Sequence, residues 1–176
     1  MLLKDVVEQA AGRADVREAV EQVYRDLQQE IDTRKPVCKT SGRCCRFEEF
    51  GHRLYVTTME LVAFRDSLGR SGSGAWEGSG CPFQVQGLCS VHPIRPFGCR
   101  IFFCDATATE WQNQQYERFH ARLKRLHEEL AVPYFYVEWR LALRSLGLAG
   151  CETASGTPQS DGSVRPARLS LEQLRL

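Results

Sequence analysis

The placement of cysteine constrains this chain more than any other feature of its sequence. Eight cysteines occur in 176 residues, and seven of them lie in two compact groups, within residues 38–45 and 81–104. Structural disulfides are rare in a reducing compartment, so clustered cysteines there favour a metal site, a cluster or redox chemistry. How the two groups are interpreted therefore depends on the compartment.

The N-terminal segment indicates a cytoplasmic protein. Lys4, Asp5 and Glu8 interrupt the stretch in which a signal peptide would need continuous apolar residues. No apolar run approaches the roughly 18 residues of a membrane-spanning helix. The 23 Lys and Arg residues nearly balance the 22 Asp and Glu residues, which gives no electrostatic reason to expect nucleic acid or an anionic membrane. We expect a metal ion or cluster as the partner, with no nucleic acid and no membrane, and leave a protein partner open.

The apolar pattern predicts an α+β fold that is mostly helical, a small single domain with a few short strands. Apolar residues at spacings of three and four mark helical faces in residues 2–33, with a break at Gly12, and in residues 108–131. β-branched and aromatic residues predict a strand over residues 52–58 and a second strand that starts at residue 134 and becomes helical from about Val137. Three residue pairs resemble capping boxes that open helices. These pairs are Asp15 with Glu18, Thr57 with Glu60, and Thr107 with Glu110.

Composition divides the chain into one domain and a tail. We assign residues 1–149 to a cysteine-cluster domain and residues 150–176 to a flexible C-terminal tail, because Ser, Gly, Pro and Thr dominate after residue 150. Cys151 lies alone in that tail and is predicted to be a spectator. The Gly- and Ser-rich residues 69–80 predict a flexible loop between the two cysteine groups, and the second group is predicted to include a small hairpin turning at Gly87.

The cysteine spacing excludes the common zinc and ferredoxin motifs. It reads Cys38-x5-Cys44-Cys45, then Cys81-x7-Cys89-x9-Cys99-x4-Cys104. Neither paired C-x2-C motifs nor a C-x2-C-x2-C-x3-C-P run is present. The remaining interpretation is a site gathered from two cysteine-bearing loops, with all seven of these cysteines as candidate ligands. Such a site couples metal binding to folding.

These motifs resemble the YkgJ-like cysteine-cluster family, which is described as a zinc- or iron-chelating domain. Its first motif is similar to residues 38–45, and its second is similar to the segments 81–83, 89–92 and 95–100 in this order. The resemblance implies a zinc, iron or iron–sulfur site, including a 4Fe-4S cluster. Ser41 stands where the first motif has a second cysteine, and its neutral hydroxyl is a poor ligand for a thiophilic centre. Lysine-methylating enzymes of flagellin carry a similar domain, which is the one enzymatic indication.

Positively charged side chains lie close to the candidate ligands in the sequence. Four thiolates around Zn(II) or an oxidised 4Fe-4S core carry a formal charge of about minus two. Arg95 and Arg100 flank Cys99 and are candidate cofactor-binding residues. We expect at least one of them to donate to a ligating thiolate or to a backbone carbonyl of the loop. The alternative is that both are solvated surface residues.

Three functions fit this pattern. The first is a metal-binding protein without catalysis of its own, and the second is a metal- or iron–sulfur-dependent enzyme or enzyme subunit. The third is a thiol redox sensor or adaptor, in which Cys44 and Cys45 would form a redox pair. No Walker, GxGxxG, GxSxG or HExxH motif occurs, so the sequence indicates no catalytic residue. His92 is a weaker candidate ligand, Asp105 is predicted to cap the following helix, and His120 and His127 are predicted to lie at a core boundary.

Overall fold

The computed structural model of the protein describes residues 1–68 and 78–148. Most of the predicted loop 69–80 and the whole predicted tail 150–176, with Cys151, lie outside the described residues. Six α-helices and four short strands make up the described part, which confirms the α+β, mostly helical prediction. The helices are α1 Leu3–Ala10, α2 Ala14–Arg34, α3 Thr58–Leu68, α4 Phe97–Ile101, α5 Thr109–Glu129 and α6 Trp139–Leu146. The strands are β1 Tyr55–Thr57, β2 Gln84–Val85, β3 Leu88–Cys89 and β4 Tyr136–Glu138.

The first two helices follow the predicted apolar stripe. The stripe of α2 is buried along its whole length, from Val16 to Ile31. Gly12 separates α1 from α2 with a φ of 75°, a value that favours glycine. The predicted Asp15–Glu18 cap is wrong, because α2 begins at Ala14 and the Asp15 carboxylate instead accepts from the Arg13 guanidinium at 3.1 Å.

Two antiparallel strand pairs connect the helical segments. β1 pairs with β4 in the register Tyr55 to Glu138 and Thr57 to Tyr136, and each strand continues directly into a helix, α3 or α6. The predicted strand over residues 52–58 is therefore shorter than expected. β2 pairs with β3 around Gly87, whose φ is 80°, and this confirms the predicted hairpin.

Glu60 completes the predicted capping box and links three further segments. Its Oε2 accepts from the Thr57 backbone at 2.8 Å and from the Thr57 hydroxyl at 3.0 Å. Its Oε1 accepts from the Phe97 backbone at 2.8 Å and from the Tyr24 hydroxyl at 3.4 Å. The residue is only 2% exposed, and burial raises the pKa of its carboxyl. The Thr107–Glu110 box is wrong, because Asp105 accepts from the Thr107 backbone at 2.9 Å and α5 begins at Thr109.

The core has two parts, and the cysteines lie within and beside the larger one. The larger part packs α1, α3 and α6 around Phe64 and Trp139 and includes Cys45 and Cys81. The smaller part packs α2, α4 and α5 together. Cys44, Cys89 and Cys99 are half-buried against the larger part. No described helix is long and apolar enough to cross a membrane.

We predict that Glu60→Gln destabilises the fold by about 1–3 kcal/mol at neutral pH. The amide nitrogen of glutamine must replace either Oε1 or Oε2, so the backbone N–H of Phe97 or of Thr57 loses its acceptor. Urea unfolding of the purified protein measures the change. Glu18→Gln, at an exposed position of α2, is the matched control. Equal stability of both variants and wild type would contradict the role assigned to Glu60.

His127 is a buried histidine through which the stability of the fold depends on pH. Contrary to the predicted boundary position, it is 2% exposed. Its Nδ1 lies 2.9 Å from the Val132 carbonyl, and the Met59 backbone N–H donates to its Nε2 at 3.4 Å. Desolvation lowers the pKa of His127 below its ordinary value of 6.5, and the hydrogen bond to Val132 opposes the change. The imidazole is therefore held neutral, with the proton on Nδ1.

We predict that His127 makes the folded state less stable as the pH falls. The unfolded side chain takes up a proton below about pH 6.5, whereas the folded side chain resists protonation until its lower pKa is reached. The loss approaches about 1.4 kcal/mol per pH unit within that window. Urea unfolding between pH 7.5 and 5.5 should show a steeper loss for wild type than for His127→Gln, whose side chain does not titrate. Parallel slopes would refute the prediction.

Candidate metal centre

The two cysteine-bearing loops meet through backbone contacts. The Cys81 backbone N–H donates to the Cys45 carbonyl at 2.7 Å, and the Gln84 side chain donates to the Gly42 carbonyl at 2.9 Å. A Cβ built on Gly42 would lie 2.3 Å from the Gly87 carbonyl oxygen, so only glycine lets the first loop approach the hairpin this closely. The predicted convergence of the loops is present.

Four thiols interact at the point where the loops meet. The Cys45 thiol lies near those of Cys44, Cys81 and Cys89, and its interaction with these three thiols, together with burial, raises its pKa. The interaction with Cys45 is also the main reason that the pKa of Cys44 falls to about 6 and that of Cys89 to about 7. It lowers the pKa of Cys81 as well. The neighbours of Cys45 are therefore easier to ionise than Cys45 itself.

Cys99 is the fifth member of this group. Desolvation, followed by the negative charges of Cys81, Cys44 and Cys89, raises its pKa well above the ordinary value. We call Cys44, Cys45, Cys81, Cys89 and Cys99 the cysteine group. In residues 1–68 and 78–148, no three His, Cys, Asp or Glu side chains are arranged so that they could hold a metal ion together. The thiols therefore lie near one another without the geometry of a finished coordination shell.

Two buried N–H donors next to the cysteine group lack partners. The Trp139 indole nitrogen and the Arg95 Nε are buried without a hydrogen-bond partner among the described residues. The indole interacts with Cys81 and lowers the pKa of that thiol. The positive charge of Arg95 lowers the pKa of Cys44 and of Cys89. Buried donors without acceptors are unfavourable, and both of these would be better satisfied by charged sulfur than by a neutral thiol.

Arg100 holds the loop that carries Cys99. Its Nε donates to the Arg95 carbonyl at 2.9 Å, and its Nη2 donates to the Pro93 carbonyl at 2.6 Å. Its guanidinium also lies 4.2 Å from the centre of the Tyr24 ring. Arg100 therefore binds backbone carbonyls of the loop and is not a solvated surface residue.

The other two candidate cysteines lie apart from the cysteine group. Cys38 is exposed, and the Cys104 sulfur lies 3.7 Å from the Ser41 hydroxyl. The segments that carry them are adjacent, because the Val37 backbone donates to Asp105 at 3.1 Å. Ser41, at the position of the missing motif cysteine, is thus next to Cys104, but no contact of either with the cysteine group is seen in the described part of the chain.

The histidines near the site differ in their surroundings. His92 is exposed, and desolvation together with the charges of Arg95 and Arg100 lowers its pKa to about 4. His52 has its Nε2 3.4 Å from the Cys44 carbonyl and stacks on Phe102 with ring centres 5.5 Å apart. From the sequence, no role was assigned to His52 or to Trp139. The need of a buried indole N–H for an acceptor is the signal that would have identified Trp139.

Comparison with known proteins identified no relative of this chain. No family model matches the chain, and searches of curated proteins and of solved structures found no match. The resemblance to the YkgJ-like family therefore depends on the cysteine motifs alone.

We predict that Arg100→Ala loosens the loop around Cys99. Loss of the two carbonyl contacts should speed amide hydrogen exchange over residues 94–100 about tenfold. Arg100→Lys should recover only part of the protection, because an ammonium group lacks the planar fork. Arg125→Ala, at an exposed position of α5, is the control. Exchange in Arg100→Ala as slow as in the control would show that these contacts contribute nothing to the loop.

Proposed function

We propose that this chain is a metal-binding protein in which cysteine thiolates from two loops hold Zn(II) or an iron–sulfur cluster. The observation that carries the proposal is a set of five thiols whose pKa values depend on one another, near two buried N–H donors without a hydrogen-bond partner among the described residues. Thiolate sulfur is the ligand that suits zinc and iron–sulfur centres. When bound, the metal would draw the protons from these thiols and stabilise the resulting negative charge.

The electrostatics of the cysteine group agree with such a role. The positive charge of Arg95 lowers the pKa of Cys44 and of Cys89, and the nearby Trp139 indole lowers the pKa of Cys81. Hydrogen bonds from outer residues to metal ligands typically change metal affinity by about 10- to 100-fold. Arg100 contributes indirectly, because it fixes the carbonyls of Pro93 and Arg95.

The proposal ranks the seven candidate ligands. The cysteine group supplies five, with Cys45 at its centre. Cys38 and Cys104 are the outer candidates because they lie beside Ser41 and Asp105, away from that centre. The thiols do not form a metal-holding arrangement as they stand, so binding requires both deprotonation and a shift of the loops. Metal binding is then linked to local folding.

One observation favours the second candidate function, a metal- or iron–sulfur-dependent enzyme or enzyme subunit. A half-open cavity of about 240 Å³ adjoins the cysteine group, and Cys44 and Cys99 form part of its wall. Catalytic metal sites keep a position open to a substrate, whereas structural sites are closed. A cavity beside the thiols is what the catalytic alternative needs.

The test is elemental analysis and visible spectroscopy of protein purified without oxygen. Broad visible absorbance with iron and sulfide indicates a cluster, and a colourless protein with stoichiometric zinc indicates a zinc site. We expect Cys45→Ser to lose most of the metal, because its thiol interacts with three others. Cys38→Ser should retain it.

Cys151→Ser is the control for replacing a thiol outside both cysteine groups. Protein that carries no metal after reconstitution with zinc, or with iron and sulfide, would refute the proposal. Equal metal retention by Cys45→Ser and Cys151→Ser would refute the ranking of the ligands.

A further inference from the structure

The cavity beside the cysteine group has an apolar floor and an aromatic rim. Phe47, Leu54 and Ile101 line it and are at most 7% exposed. Tyr55 and Phe102 line it as well, although they remain 40% and 37% exposed. An apolar floor under exposed rings is the usual composition of a site for a small organic molecule. The volume of about 240 Å³ limits the occupant to a small one.

Phe102 presents a flat surface at the rim. Its ring is parallel to the His52 imidazole within 11°, with the ring centres 5.5 Å apart, and His52 is itself held edge-on against Phe47. The orientation of Phe102 is therefore fixed by stacking, and an exposed side of it remains. Aromatic rings prefer offset-stacked or edge-to-face partners, so this rim favours a flat occupant.

Three polar side chains of the cavity offer donors that are free among the described residues. The Gln112 Oε1 accepts from the Phe103 backbone at 2.7 Å, and the amide N–H groups of Gln112 have no partner in this part of the chain. Arg53 and Asn113 also line the cavity, and neither has a hydrogen-bond or ion-pair partner among the described residues. No Asp or Glu belongs to the lining. Cys44 in the wall carries negative charge when it is ionised, but the lining has no carboxylate, and the free donors of these three side chains favour an anion beside them.

We propose that this cavity binds a small, flat organic anion such as an aromatic carboxylate. The ring would lie against Phe102 over the apolar floor, and the carboxylate would accept from Arg53 and from the amides of Gln112 and Asn113. Binding uses none of the thiols, so it goes beyond the proposed metal function and does not depend on it. Because Cys44 and Cys99 share the wall, an occupant would lie beside the cysteine group.

Saturation-transfer NMR on the full-length protein as purified tests the proposal, with benzoate as the probe. Benzamide has the same shape without the charge, and acetate has the charge without the ring. We expect benzoate to bind at least about fivefold more tightly than either. The metal content of the same sample is measured separately, so absence of metal and absence of benzoate binding are independent results.

Two substitutions locate the bound anion. Arg53→Gln removes the free cation, and Asn113→Asp places a negative charge in the cavity at unchanged size. Each should weaken benzoate about fivefold or more. Arg125→Gln, which removes an exposed arginine of α5 away from the cavity, should leave it unchanged. No benzoate signal, equal binding of benzoate and benzamide, or equal affinity in Arg53→Gln and Arg125→Gln would each overturn the proposal.

Discussion

The buried carboxylate of Glu60 is the contact on which the arrangement of this domain depends. Its two oxygens receive donors from the β1–α3 junction at Thr57, from the start of α4 at Phe97 and from Tyr24 in α2. A carboxylate taken out of water is unfavourable unless donors surround it, so these segments hold one another in place. Desolvation nevertheless outweighs the donors, because the pKa of Glu60 is raised.

The position of the cysteine group follows from the same contact. Phe97 begins α4, which carries Cys99 and Arg100, and the Arg100 guanidinium lies over the Tyr24 ring whose hydroxyl donates to Glu60. The first loop is fixed from the opposite side by the bond from the Cys81 backbone to the Cys45 carbonyl. Two separate sets of contacts therefore bring the two loops to one place, and neither set involves a sulfur atom.

The sequence correctly predicts the elements that follow from apolar periodicity. It predicts a helix cap wrongly where two polar side chains compete for the same donor. The α2 stripe and the Thr57–Glu60 box are present as expected. The Thr107–Glu110 pair fails because Asp105 already accepts from both the backbone and the hydroxyl of Thr107. Local spacing cannot rank two acceptors that are both within reach of one donor. It also cannot say which of seven cysteines meet, because that depends on loop contacts such as Gln84 to Gly42.

The two arginines near Cys99 show the same limit of sequence-based prediction. Charge counting along the chain places Arg95 and Arg100 near Cys99 but does not separate their roles. In the fold, Arg100 uses its donors on backbone carbonyls, whereas the Arg95 Nε is left buried without a partner, as is the Trp139 indole nitrogen. A neutral thiol is a weak acceptor, and a thiolate is a strong one. Two buried donors without a partner among the described residues therefore lie near thiols whose pKa they lower, and both would be better satisfied if that sulfur were charged, as the proposed metal site requires.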